Sequence, residues 1–128
     1  VKLLLDTHVL LWIADDSPHL GQDIKELIDA RNAVPIFSVV SLWEVAIKAQ
    51  LDRQDFAVHP HRFRRTLLDS GYIELDITAE HALATTDLPA FHRDPFDRLL
   101  LAQARHEGAI LVTADRTLAR YPVPVRLV

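Results

Sequence analysis

Cysteine is absent from this chain. Neither disulfides nor thiolate metal sites can therefore contribute, and the composition suits a reducing compartment. Glycine is scarce, limited to Gly21, Gly71 and Gly108. Three scattered glycines exclude the usual glycine-rich phosphate loops. No apolar run approaches the roughly 20 residues that a membrane span needs. The opening Val-Lys-Leu-Leu-Leu-Asp turns acidic too soon for a secretory signal. The expectation is a cytoplasmic protein with no membrane partner. An excess of positive charge is missing too: the formal net charge is −4 with histidines neutral. Nucleic-acid binders are more often basic, so the overall sign counts against one. The arginines are unevenly spread, however. Arg62, Arg64 and Arg65 cluster, and Arg93 and Arg98 flank acidic residues. A local basic rim around an acidic site would serve RNA despite the net sign. The Arg62–Arg65 group reads equally well as a solvated helix face.

What is present fits one domain over residues 1–128, with 49% apolar residues to build a core. Repeats, linkers and low-complexity segments are not evident. Short apolar runs alternate with longer amphipathic stretches, the pattern of an α/β domain with a parallel sheet. Leu3–Leu5 reads as a first strand buried on both faces. Strands are also expected at Val34–Phe37, Tyr72–Ile77, Ala109–Val112 and, at an edge, Val125–Val128. Helices are expected over 9–14, 22–31, from Ser41 to about Leu51, after His59-Pro60-His61, over 79–86, and from Asp94-Pro95 to Gly108. Trp12 and Trp43 are expected in the core.

In open parallel sheets, sites form beyond the carboxyl ends of the strands. Asp6 follows the first strand directly. Glu44 lies one turn into the helix after the second, and Asp115 follows Ile110-Leu111-Val112. Asp97 lies in the first turn of the helix before the fourth strand. If that helix begins at the same edge, four carboxylates face one cleft. Two carboxylates about 5 Å apart repel by about 3 kcal/mol at an effective dielectric near 20. Four would take up protons or demand cations. Hard divalent ions, Mg2+ or Mn2+ above all, match oxygen ligands. Such ions make a bound water a usable nucleophile near neutral pH. Each acid also has a purely local reading. Ser41-Leu42-Trp43-Glu44 fits a capping box, and Lys48 stands four residues after Glu44. Asp94 before Pro95 is a good N-cap, which leaves Asp97 at N3. Asp6 and Asp115 could be N-caps as well. Thr7, Ser38, Ser41 and Thr113 are candidates to orient carboxylates, with local capping the simpler role. The histidines lack a zinc-like spacing; His92 draws interest because it stands beside the Asp94–Asp97 turn.

Taken in order, several segments resemble the PIN-domain family, and within it the VapC-type toxins of bacterial toxin–antitoxin pairs. They are Leu-Leu-Leu-Asp6-Thr7-His8 with Leu11-Trp12, and Ser38-Val-Val-Ser41-Leu-Trp43-Glu44-Val-Ala-Ile-Lys48. They continue with His92-Arg-Asp94-Pro-Phe-Asp97-Arg98-Leu-Leu-Leu-Ala-Gln-Ala104 and end with Leu-Val-Thr113-Ala-Asp115. The stretch from His92 to Ala104 is the most specific. The resemblance implies a three-layer fold, a central, mainly parallel sheet of about five strands sandwiched by helices. It implies an Mg2+- or Mn2+-dependent endoribonuclease acting as a toxin, with Asp6, Glu44 and Asp97 as its first three acids and Asp115 as the fourth, more variable one. It further implies an RNA substrate, a homodimer, and a cognate antitoxin whose tail covers the active-site groove. Three rival readings fit the residues less well. An aspartyl-nucleophile phosphohydrolase wants a second Asp where His8 stands. A receiver domain wants paired acids near the first strand end and a lysine after a late strand. A nucleotide-binding domain wants the glycine loop that is missing. The remaining alternative is a PIN-like scaffold that binds RNA or protein without cutting.

Overall fold

The computed structural model describes residues 1–51 and 57–128. Five strands form one sheet: β1 (Lys2–Leu5), β2 (Val34–Ser38), β3 (Ile73–Leu75), β4 (Ile110–Thr113) and β5 (Val125–Leu127). Their spatial order is β3-β2-β1-β4-β5, and every pairing is parallel. The expected α/β class and strand count hold, and the sheet is wholly parallel. Around it lie α1 (Thr7–Ala14), α2 (Gln22–Asp29), α3 (Val39–Leu51), α4 (Pro60–Asp69), α5 (Ala79–Ala84) and α6 (Pro95–Glu107). Short 3-10 turns cover Thr85–Asp87 and Arg116–Arg120.

The leucine run of β1 explains the layering. Alternate side chains of a strand point to opposite faces. Leu4 enters a cluster with Ile36, Val40, Leu100, Leu101 and Leu111. Leu3 and Leu5 enter a second, with Val9, Leu10, Ile24, Phe37 and Phe63. Both clusters are buried, so the central strand is covered by helices on both sides, as parallel sheets require. Burying each such side chain contributes about 1.5–3 kcal/mol.

Helix α6 has well-defined stops. Asp94 caps its start, accepting from the N–H groups of Phe96 (2.8 Å) and Asp97 (3.3 Å), and Pro95 opens the first turn. Gly108 closes it at φ 65°, the left-handed region where a Cβ would be strained. Other boundaries differ from expectation. Helix α1 starts at Thr7, two residues early. Helix α3 starts at Val39, directly after β2, so Ser41 sits inside the helix rather than before it. The Ser41–Glu44 capping box therefore does not form. That shift also corrects the placement of Trp43, which is 57% exposed. Ser41 and Val45 face inward, and a two-residue step turns a helix by about 200°. Trp43, two residues from each, points away from the core. Trp12 is half-buried, packed beside the second cluster.

A buried polar chain joins β2 to α6 and α5. The Ser38 hydroxyl donates to Gln103 Oε1 (2.5 Å) and accepts from the Val40 N–H (3.0 Å). Gln103 Nε2 donates to the Asp76 carbonyl (3.2 Å) and lies 3.3 Å from His81 Nδ1. His81 Nδ1 also accepts from the Thr78 N–H (3.1 Å), so the ring proton resides on Nε2 and donates to Glu107 (3.0 Å). Ser38 thus serves the core rather than the carboxylates. Replacing Gln103 by Leu removes partners from a buried hydroxyl and a buried imidazole, each group costing about 1–3 kcal/mol when unsatisfied. Gln103→Leu is expected to lower unfolding free energy by about 2–4 kcal/mol in urea titrations. A loss below 0.5 kcal/mol, by the same rough scale, would show that the chain of bonds is dispensable.

Candidate active site

The chain runs outward from β1 in both directions, so the carboxyl ends of β1 and β4 form the crevice where the strand order switches. Asp6 directly follows β1 and Asp115 stands two residues after β4. Glu44 comes from α3 and Asp97 from the first turn of α6. All four line a single cavity of ≈ 530 Å³, together with His8, Trp12, Lys48, Asp94 and Phe96. Four acids separated by up to 109 positions (115 − 6) thus meet at one place.

Each is held differently. Asp6 is the deepest, 6% exposed. Its Oδ2 accepts a short hydrogen bond from the Thr113 hydroxyl (2.5 Å). The same hydroxyl accepts from the Asp115 N–H (3.1 Å), so one threonine fixes both acids. Although Asp6 occupies the N-cap position of α1, its side chain makes no capping bond. Glu44 lies within 2.8 Å of the Thr7 hydroxyl, which also lies 2.9 Å from Ser41 Oγ. A hydroxyl has one proton and a carboxylate only accepts. The bonds therefore run from Ser41 to Thr7 to Glu44. The other Glu44 oxygen is 3.3 Å from Lys48 Nζ. Asp115 Oδ1 caps the following 3-10 turn through the Thr117 N–H (2.9 Å), and its Oδ2 stays open to the cavity side, 3.9 Å from His92 Nε2. Capping and convergence coexist here.

Asp97 bonds to His92 Nε2 at 2.7 Å. One ligand-type atom each from His92, Asp94 and Asp97 lie within 4.8 Å of one another. Arg98, expected on a basic rim, turns inward instead. Its guanidinium donates to the carbonyls of Pro89 (2.8 Å), His92 (3.4 Å), Thr85 (2.8 Å) and Leu88 (3.3 Å). One side chain thereby gathers the segment that carries His92 to Asp97. Arg64 is likewise committed, bidentate to Glu74 at 2.6 and 3.0 Å, which supports the solvated-face reading of its cluster. The roles of Thr7, Thr113 and Arg98 depend on tertiary contacts, and only their adjacency to the acids marks them in the sequence.

The electrostatics follow from the crowding. Burial raises the Asp6 carboxyl above its ordinary value, against the Thr113 hydrogen bond and the charge of His8, with Glu44 adding to the rise. Burial raises Asp97 further, to about 6; its bond to His92 opposes this, and the charges of Asp6 and Asp94 reinforce it. The four carboxylates offer only oxygen ligands, and two of them, Asp6 and Asp97, hold their protons above the ordinary carboxylate range; such a set suits a hard divalent cation. The second titratable cluster, His81, His106 and Glu107, does not, because both His81 nitrogens are already engaged.

Comparison with known proteins identifies the family and the fold. The family model described as PIN domain matches residues 3–124. The chain belongs to the PIN domain family. It is 31% identical to Ribonuclease VapC22 of Mycobacterium tuberculosis over 126 residues, 96% of this chain and 95% of that one. Its fold is similar to VapBC2 of Rickettsia felis, solved bound to a DNA fragment from its promoter. There the TM-score is 0.75 at 18% identity, covering 99% of this chain and 98% of that one. It is also similar to DNA-bound VapBC of Salmonella typhimurium, with a TM-score of 0.70 at 19% identity, covering 98% and 97%.

The Asp97 shift makes stability depend on pH in a defined direction. The folded-state pKa of about 6 exceeds the unfolded value near 3.8, so between these pH values the folded state binds the extra proton. Stability therefore falls as pH rises from 4 to 6, and the penalty is complete above that. Asp97→Asn removes it. In EDTA, the variant's stability relative to wild type is expected to rise by roughly 3 kcal/mol between pH 4 and pH 7. A difference that stays flat across this window would show that Asp97 is not crowded.

Proposed function

We propose that this chain is a cytoplasmic endoribonuclease, the toxin of a toxin–antitoxin pair, whose Asp6, Glu44, Asp97 and Asp115 hold Mg2+ or Mn2+. The observation that carries the reading is the convergence of four acids in one cavity at the switch point of a parallel sheet. The likeness to a ribonuclease along nearly the whole of both chains supports the reaction class. Neighbours solved as VapBC assemblies support a partner protein. An antitoxin segment would cover the groove, and the toxin would form a homodimer, as the family resemblance implies.

When bound, a divalent ion supplies acidification of a water and neutralises charge on the attacked phosphate. The chain's own residues prepare the place for it. Thr113 fixes the Asp6 and Asp115 side, Thr7 fixes Glu44, and His92 aims the Asp97 carboxylate. Arg98 keeps the His92 segment against α6. No serine or cysteine nucleophile is needed, and the cysteine-free sequence offers no thiol.

Antitoxin-free protein is expected to cut RNA with Mg2+ or Mn2+ and to stop in excess EDTA. Asp97→Asn should reduce cleavage by about 100-fold or more, the scale for an essential electrostatic group, while its melting temperature at pH 7 holds or rises. Titration calorimetry of the metal-free protein should show Mn2+ uptake that weakens in Asp6→Ala. Cleavage that persists in EDTA would defeat the metal assignment. Wild-type protein that neither binds Mn2+ nor cuts would leave the non-catalytic binding scaffold.

A further inference from the structure

Among the described residues, Trp43 is the most exposed aromatic, at 57%. It does not stand alone. Its ring meets Phe96 edge-on, with centroids 5.2 Å apart and planes at 75°, a favourable aromatic geometry. Phe96 packs against the core cluster on the α6 side and also lines the carboxylate cavity. Each ring directly precedes an acid of that cavity: Trp43 before Glu44, and Phe96 before Asp97. The pair is thus an anchored apolar ledge continuous with the wall of the site.

The charge of the molecule makes such a ledge useful. The chain carries −4 overall. Lys48, the cavity's lysine, is tied to Glu44, and Arg98 is turned onto backbone carbonyls. Attraction for a polyanion from these cations is weak. Stacking of bases on aromatic rings is independent of net charge and tolerant of sequence. Resting on the ribonuclease reading, we propose that Trp43, backed by Phe96, is a stacking platform for a nucleobase of single-stranded RNA beside the scissile phosphate. A second copy of the chain is a poorer occupant. Phe96 shares the cavity wall with Glu44, Asp94 and Asp97, whereas homodimer interface cores are depleted of charge.

Three measurements on the intact protein test this. Steady-state cleavage of an oligoribonucleotide would compare wild type, Trp43→Phe and Trp43→Leu. Trp43→Leu should raise KM about tenfold, the loss of roughly one base stack, with kcat changed far less, and Trp43→Phe should restore most of it. Separately, in the cleavage-impaired Asp97→Asn background with Mg2+, adding the oligonucleotide should quench tryptophan emission. Adding Trp43→Phe to that background should remove most of the quench, leaving only what Trp12 in the cavity wall contributes. Light scattering would give the mass of each variant. Unchanged KM in Trp43→Leu together with an undiminished quench in Trp43→Phe would overturn the proposal. So would an altered mass with unchanged KM, which would assign the ledge to a second copy. Failure of wild type to cut RNA would instead strike the ribonuclease reading, because the quench reports the stack without turnover.

Discussion

The structure is organised around a carboxylate driven into the end of a hydrophobic sheet. Asp6 terminates a strand whose three leucines are buried on both faces, and its main-chain N–H is still bonded to the Val112 carbonyl (2.9 Å) as though β1 continued. The chain cannot move this acid toward water without breaking the centre of the sheet. Asp97 then brings a second, half-buried acid close enough for the Asp6 charge to help raise it. Repulsion of this kind costs several kcal/mol at short range. A fold that spent stability only on packing would place an apolar side chain there. The surrounding hydroxyls, Thr7, Ser41 and Thr113, are buried and satisfied, so the acids are oriented as well as crowded.

Sheet order explains why sequence-distant acids converge. With β1 at the centre and β2 and β4 on either side, the residues that follow these strands are spatial neighbours. Asp6 and Asp115 need only stand after their strands. Glu44 needs a helix that turns straight off β2, and α3 begins at the residue after it. Asp97 needs a different device, because α6 precedes β4 and must itself start at the carboxyl edge. Asp94 and Pro95 fix that start, and the Arg98 guanidinium binds the incoming segment through four carbonyls. Backbone carbonyls without partners are costly when buried, and one arginine satisfies several at once.

Much of this was legible in the sequence for reasons of periodicity. Leu3–Leu5 read as a doubly buried strand and Ala109–Val112 as a later strand, and the caps of α6 read as Asp94-Pro95 and Gly108. The position of the four acids relative to strand ends was readable too, given a parallel sheet. Two things were not. Helix phase is set by where the helix begins, and a start two residues earlier than Ser41 turns Trp43 outward, against the usual tendency of tryptophan to be buried. Side-chain partners across the fold are equally hidden. Thr113 reads in the sequence as a candidate to orient a carboxylate, with local capping the simpler role, and its clasp on both Asp6 and Asp115 exists only once β4 lies beside β1. Arg98 read as rim charge because nothing in the linear order shows which carbonyls lie within its reach.

The inward turn of Arg98 bears on how an acidic protein would handle RNA. If the arginines beside the site formed a basic rim, long-range attraction would explain binding despite the net charge of −4. The inward turn of Arg98 and the pairing of Arg64 with Glu74 remove two of those charges from that task. The pocket alone matches that net charge, with five carboxylates against one lysine beside His8. A divalent cation held by the proposed acids would reverse that balance locally, where a phosphate would sit, and nowhere else. Affinity would then be concentrated in the bound ion and in neutral contacts close to it. On the proposed reading the acid cluster would be both the catalytic element and the gate for substrate charge, and the exposed ring of Trp43 would supply grip that no counter-charge can screen.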